Sequence, residues 1–92
     1  MKKLYVIIDQ QYNASYRAVQ AGHAVAEYLL QENEWKNQTL IYVTAKDLER
    51  ETFNLERKGL KVIPFREPDV GNEITTIACY ADEKLMKKYE LN

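Results

Sequence analysis

The chain carries one cysteine, one histidine, three glycines and two prolines in 92 residues. A single cysteine excludes an internal disulfide, and no cluster of metal-ligating residues accompanies it. Cys79 falls in an apolar alternating stretch, which predicts a buried, unreactive thiol. There is no repeat, no low-complexity segment and no internal linker, so one domain is expected. No apolar run approaches the roughly 18 residues of a membrane-spanning helix. Lys2 and Lys3 are followed by only five apolar residues before Asp9, too few for the apolar segment of a secretory leader. A cytoplasmic protein without a membrane partner is the expectation. The net charge of −1 argues against a general nucleic-acid coat, for which a basic excess is needed. Lys2, Lys3, Arg17, Lys61 and Arg66 could gather into a local patch at one end of a sheet, but scattered Lys and Arg of this kind fit a solvated surface better. Gly-rich phosphate loops, nucleophile elbows and cysteine–histidine signatures are all missing.

What is present is an ordinary α/β pattern. Residues 4–8 form a short apolar run rich in β-branched side chains and read as a strand. A polar loop over 9–15 follows, with Ser15 as N-cap of a helix over 16–33. Residues 34–38 connect to a second strand over 39–43. Thr44-Ala45-Lys46-Asp47 resembles a capping box and opens a second helix over 45–58, with Leu48, Thr52 and Leu55 inward and Gly59 just beyond its end. A third strand covers 60–65, at an edge or ending near Pro64. The loop 66–72 leads to a fourth strand over 74–80 and a last short helix over 81–89. A seven-residue link is too short for a parallel crossover, so the fourth strand is expected to run antiparallel to the others. The order is β-α-β-α-β-β-α. It predicts a three-layer α/β/α domain with a four-stranded mixed sheet and right-handed crossovers. Ligands of such sheets bind beyond the carboxyl ends of the strands, here the loops 9–15, 44–46 and 66–72.

The first helix is the most informative segment. At about 100° per residue, Ala18, Gly22, Val25 and Leu29 share one stripe, flanked by Val19, Ala26 and Leu30. Tyr16, Gln20, His23 and Glu27 share the opposite stripe. The apolar stripe is expected to face the core and the His23 stripe to face away from it. His23 then stands either as an ordinary surface residue or as a functional one beside Gln20.

Ala18-Val19-Gln20-Ala21-Gly22-His23-Ala24 resembles the A-x-Q-x-x-H-A helix of the peptidyl-tRNA hydrolase 2 family, the archaeal and eukaryotic type. The order of elements, Gly59-Leu60 before the third strand and an acidic loop before a threonine-bearing strand extend the likeness along most of the chain. The resemblance implies a mixed four-stranded sheet, usually in a homodimer, and hydrolysis of the ester joining a peptide to the 3′ ribose of tRNA, without a metal or other cofactor. There are departures. Gln10 to Ser15 contain no lysine, and the family's functional lysine falls on Tyr16, with Arg17 about 100° around the helix. The family's Asp-Ala-Gly segment corresponds to Glu67-Pro68-Asp69-Val70-Gly71-Asn72, through Asp69 with Gly71 or alternatively through Glu67.

Ester hydrolysis needs an activated water, donors for the oxyanion and help for the leaving oxygen. The candidate catalytic residues are His23 and Asp69. The candidate substrate-binding residues are Arg17, for phosphate or oxyanion, Gln20, and Thr75 or Thr76 as hydroxyl donors. Each has an ordinary structural role as well: Asp69 in an Asx turn, Thr75 and Thr76 as good strand residues, Arg17 as a solvated helix residue, Gln20 bonded to loop backbone. Two readings of function therefore stand, a divergent peptidyl-tRNA hydrolase acting on peptidyl-tRNA and a non-catalytic binding module of the same fold. A small core with seven tyrosines and one tryptophan also predicts a homodimer, because such aromatics are enriched at interfaces.

Overall fold

The computed structural model describes residues 1–32, 34–36 and 39–89. Strands β1 (Lys2–Asp9), β2 (Leu40–Ala45), β3 (Ile63–Glu67) and β4 (Glu73–Asp82) form one mixed sheet in the order β2-β1-β4-β3. β1 and β2 are parallel, and β4 runs antiparallel to both β1 and β3. The short link between the third and fourth strands has the predicted consequence. Pro64, which has no N–H to give a ladder, lies on an edge strand.

Two helices, α1 (Ala14–Gln31) and α2 (Leu48–Arg57), cover the sheet. β1 is buried on both faces, and its side chains alternate between them. Leu4, Val6 and Ile8 belong to clusters with Ala21, Ala24 and Tyr28 of α1. Tyr5 and Ile7 cluster instead with Leu48 and Leu55 of α2, with Cys79, and with Met86 and Tyr89 near the end of the chain. Cys79 is buried, as its setting predicts, and burial pushes its thiol up to about 11.

Several local expectations are corrected. α1 is capped by Asn13, not Ser15: the Asn13 Oδ1 accepts from the Tyr16 N–H at 2.9 Å. α1 ends at Gln31, and the expected end at Asn33 lies outside the described residues, as do 37 and 38 of the connection. Ala45 closes β2, and α2 begins only at Leu48, where the Asp47 carboxylate accepts from the Arg50 N–H at 3.1 Å. β3 begins at Ile63, not at Leu60. The last helix over 81–89 does not form. β4 continues to Asp82, and single 3₁₀ turns follow at Glu83–Leu85 and Lys87–Tyr89. Tyr89 is buried there and its hydroxyl donates to Glu51, while the Lys88 Nζ pairs with the same carboxylate at 2.9 Å. Partners across the chain hold this segment, so it has no need of a continuous helix.

The face of α1 is the largest correction. The helix buries Gln20, Ala21, Ala24 and Tyr28. The stripe expected to face the core is largely in solvent, with Val19 55%, Leu29 49% and Leu30 81% exposed. Ala21 and Ala24 let the helix approach the sheet closely, and the two polar residues on this face have partners. Tyr28 donates to the Glu34 carbonyl at 2.6 Å, and the Gln20 amide is bonded at both ends.

Candidate functional site

Gln20 is the centre of a buried polar set under the first half of α1. Its Nε2 donates to Glu67 Oε2 at 2.8 Å, and its Oε1 accepts from the Thr75 hydroxyl at 2.5 Å. Glu67 Oε1 accepts from the Asp69 N–H at 3.2 Å. All three side chains are buried, so each bond stands in place of lost hydration. The three come from α1, the end of β3 and the start of β4. They meet at the end of the sheet where β1 and β3 finish and α1 begins.

A β-bulge brings Thr75 into this set. Phe65 opposes Thr76 and Arg66 opposes Ile74, so Thr75 is the unpaired extra residue on β4. An extra residue breaks the strict alternation of faces. Ile74 packs with the α2-side cluster, whereas the hydroxyl of the next residue reaches Gln20 on the α1 side.

The Gln20 bond, and then the Asp69 N–H, hold the Glu67 carboxyl below its ordinary value against the opposing effect of burial; His23 nearby adds to the lowering. Glu67 is thus a carboxylate kept charged by fixed donors. His23 lies one turn beyond Gln20 on α1. Its ring is exposed on one side and stacks on Phe65 of β3 on the other, with centroids 4.7 Å apart and planes within 6°. On the other side of Gln20, Tyr16 packs against Tyr12 with centroids 4.8 Å apart. Desolvation, and then the charges of Glu67 and Asp69, raise the Tyr16 phenol. The seam between α1 and β3 therefore carries two successive rungs, Gln20 with Glu67 and His23 with Phe65.

The structure brings Gln20 and Thr75 together and sets His23 beside them. Asp69 reaches the set only through its backbone N–H, and its carboxylate is exposed. Glu67, the alternative acid of the loop, is the one bonded to Gln20. Nor does Asp69 form the expected Asx turn; the Glu67 side chain caps the turn at Pro68–Val70 instead. Arg17 stands apart, lining a largely apolar cleft of about 280 Å³ with Ile8, Ala18 and Tyr42 on the β2 side of α1. Its Nε is buried without a partner there. Thr76, between Ile8 and Phe65 in the sheet, is buried with its hydroxyl unpaired. Phe65 was missed by sequence reasoning. The alternation Phe65-Arg66-Glu67 was the available signal, because it puts Phe65 and Glu67 on one face of a strand.

Chemically, the seam offers a fixed carboxylate, a polarised amide and an imidazole with no hydrogen bond among the described residues. Among those residues no group of three His, Cys, Asp or Glu is placed to hold a metal ion, and no helix is long and apolar enough to cross a membrane. None of the protein-family models compared with the chain matches it. None of the curated proteins is significantly similar to it.

Proposed function

We propose that the protein hydrolyses the ester between peptide and tRNA in peptidyl-tRNA. One observation carries this reading: the buried Gln20–Glu67–Thr75 set holds a charged carboxylate beside the chain's one histidine at the ligand-binding end of an α/β sheet. A stretch needed only for packing would not be expected to bury a carboxylate there. In this reading water attacks the ester carbonyl as its proton passes to the His23 imidazole, and the tetrahedral oxyanion meets N–H donors at the start of α1. When the carbonyl re-forms and the bond to the 3′ oxygen breaks, His23 returns that proton to the departing oxygen, leaving a peptide carboxylic acid and a free 3′ hydroxyl. Asp69 orients the attacking water from the seam's open end. Gln20 and Thr75 position Glu67; Arg17 offers its guanidinium to phosphate from the β2 side of α1, whereas Thr76, 0% exposed inside the sheet, is out of a substrate's reach.

Release of peptide from purified peptidyl-tRNA is the test. His23→Ala and Glu67→Gln are each expected to lower kcat about 10²-fold, the scale of a general acid–base role. Asp69→Ala is expected to lower kcat less than Glu67→Gln, because the Asp69 carboxylate is exposed and reaches the set only through its backbone N–H. Wild-type protein that releases no peptide refutes the reading. Tyr16 supports a second reading, a binding module, because a tyrosine packed on Tyr12 stands where the resembled family has its functional lysine. Retained tRNA binding without release selects it.

The proposal extends to the assembly. The helices on the two faces are taken as the outer layers of an α/β/α stack. The exposed stripe of Val19, Leu29 and Leu30 supports a homodimer, since apolar surface of this kind marks interaction sites. Light scattering that gives a monomer mass at micromolar concentration counts against it. A cytoplasmic location accompanies the substrate.

A further inference from the structure

We propose that the His23–Phe65 pair is a stacking platform for the unpaired terminal base of an RNA 3′ end, an inference that rests on the hydrolase reading. Three features of the pair carry it. The rings are already parallel, within 6° and 4.7 Å apart, so the imidazole presents a flat outer face. That face is exposed, and neither ring nitrogen is hydrogen-bonded among the described residues. Phe65 is fixed from behind, packed against the cluster of Val6, Ile8, Ala21 and Ala24. The imidazole is thus seated on Phe65 by one face while its other face and its nitrogens are left open among the described residues.

The position fits the same ligand. His23 follows Gln20 by three residues, about 4.5 Å along the helix axis. If the ester of a terminal ribose lies at the Gln20–Glu67 rung, the base on that ribose reaches the next rung. Unpaired RNA bases are commonly taken up by stacking on aromatic rings, histidine included. The Glu67 carboxylate, close enough to His23 to feel its charge, repels phosphate and leaves the base as the recognised part.

The chain's one histidine makes the test direct, because its imidazole protons form a unique pair of resonances. The wild-type protein is titrated with the trinucleotide CCA and, separately, with the same strand carrying an abasic terminal ribose. CCA is expected to move the His23 resonances upfield by ring-current shielding, and the abasic strand to leave them in place. Phe65→Leu, which keeps an apolar side chain against the cluster, is expected to weaken CCA binding about tenfold. His23→Phe, which keeps a ring, is expected to retain it. Resonances unmoved by CCA, or moved equally by both strands, overturn the platform whether or not peptide is released. An upfield shift by CCA alone supports it, even where the wild type releases no peptide and the hydrolase reading falls.

Discussion

Replacing Gln20 by leucine tests the centre of the site without changing its volume much. Gln20 is 1% exposed, and its amide makes one bond at each end. Leucine leaves the buried Thr75 hydroxyl with no acceptor, and an unpaired buried polar group costs about 1–3 kcal/mol. For a domain of this size about 1 kcal/mol is worth roughly 4–8 °C in Tm, so a loss of about 5 °C or more is expected. The second consequence depends on pH. The Gln20 bond is the largest cause holding the Glu67 carboxyl below its ordinary value. A carboxyl lowered by folding contributes stability that is present above its unfolded pKa and is lost as pH falls through the folded value. The contribution is whole at neutral pH in the wild type and diminished in the variant. The stability gap between the two proteins should therefore be widest at neutral pH and narrow on acidification below the ordinary glutamate range. Urea unfolding of both proteins across that window, followed by far-UV circular dichroism, measures it. A gap that stays constant with pH, or a variant as stable as the wild type, refutes the account of Gln20 as the residue that holds Glu67.

Two further outcomes are expected on the other face of the sheet. Tyr89→Phe removes the hydroxyl that donates to Glu51 and should cost about 1 kcal/mol in urea unfolding. Burial pushes the Glu51 carboxyl up, and the bonds from Tyr89 and Lys88 outweigh it, leaving Glu51 below its ordinary value. Without the tyrosine hydroxyl the carboxyl rises, so the acid-unfolding midpoint of the variant should move to higher pH; an unmoved midpoint contradicts that balance. Cys79, buried and pushed up to about 11, should react with a thiol reagent at neutral pH only as fast as the domain unfolds. A fast reaction under native conditions would show that the 3₁₀ turns over Met86 and Tyr89 do not close this face.

The parts of this fold legible in the sequence are those that local chemistry decides. The apolar run at residues 4–8 and the alternation at 74–80 are strands because each buries side chains whatever lies opposite. The reversal of β4 follows from a link too short to cross over. The site was legible only in fragments, because its members owe their places to residues far along the chain. Gln20 looks like a surface residue until Glu67, 47 positions away, takes its amide. Once Gln20 can be buried, the small Ala21 and Ala24 give the closest approach to the sheet. The helix then turns the face with Leu29 and Leu30 outward, against its apolar pattern. Thr75 is likewise an ordinary strand residue by alternation, and only the bulge against β3 aims its hydroxyl at Gln20. The two errors have one cause. A polar residue on an otherwise small-residue face, and a residue out of step with its strand, are both costly unless something distant compensates them. The departures from local preference converge on one spot, where β3, β4 and α1 meet. The convergence makes the Gln20–Glu67–Thr75 set, rather than the exposed carboxylate of Asp69, the first place to test the proposed chemistry. It also fixes the comparison to make first: Glu67→Gln and Asp69→Asn side by side, with Glu67→Gln expected to produce the larger loss of turnover.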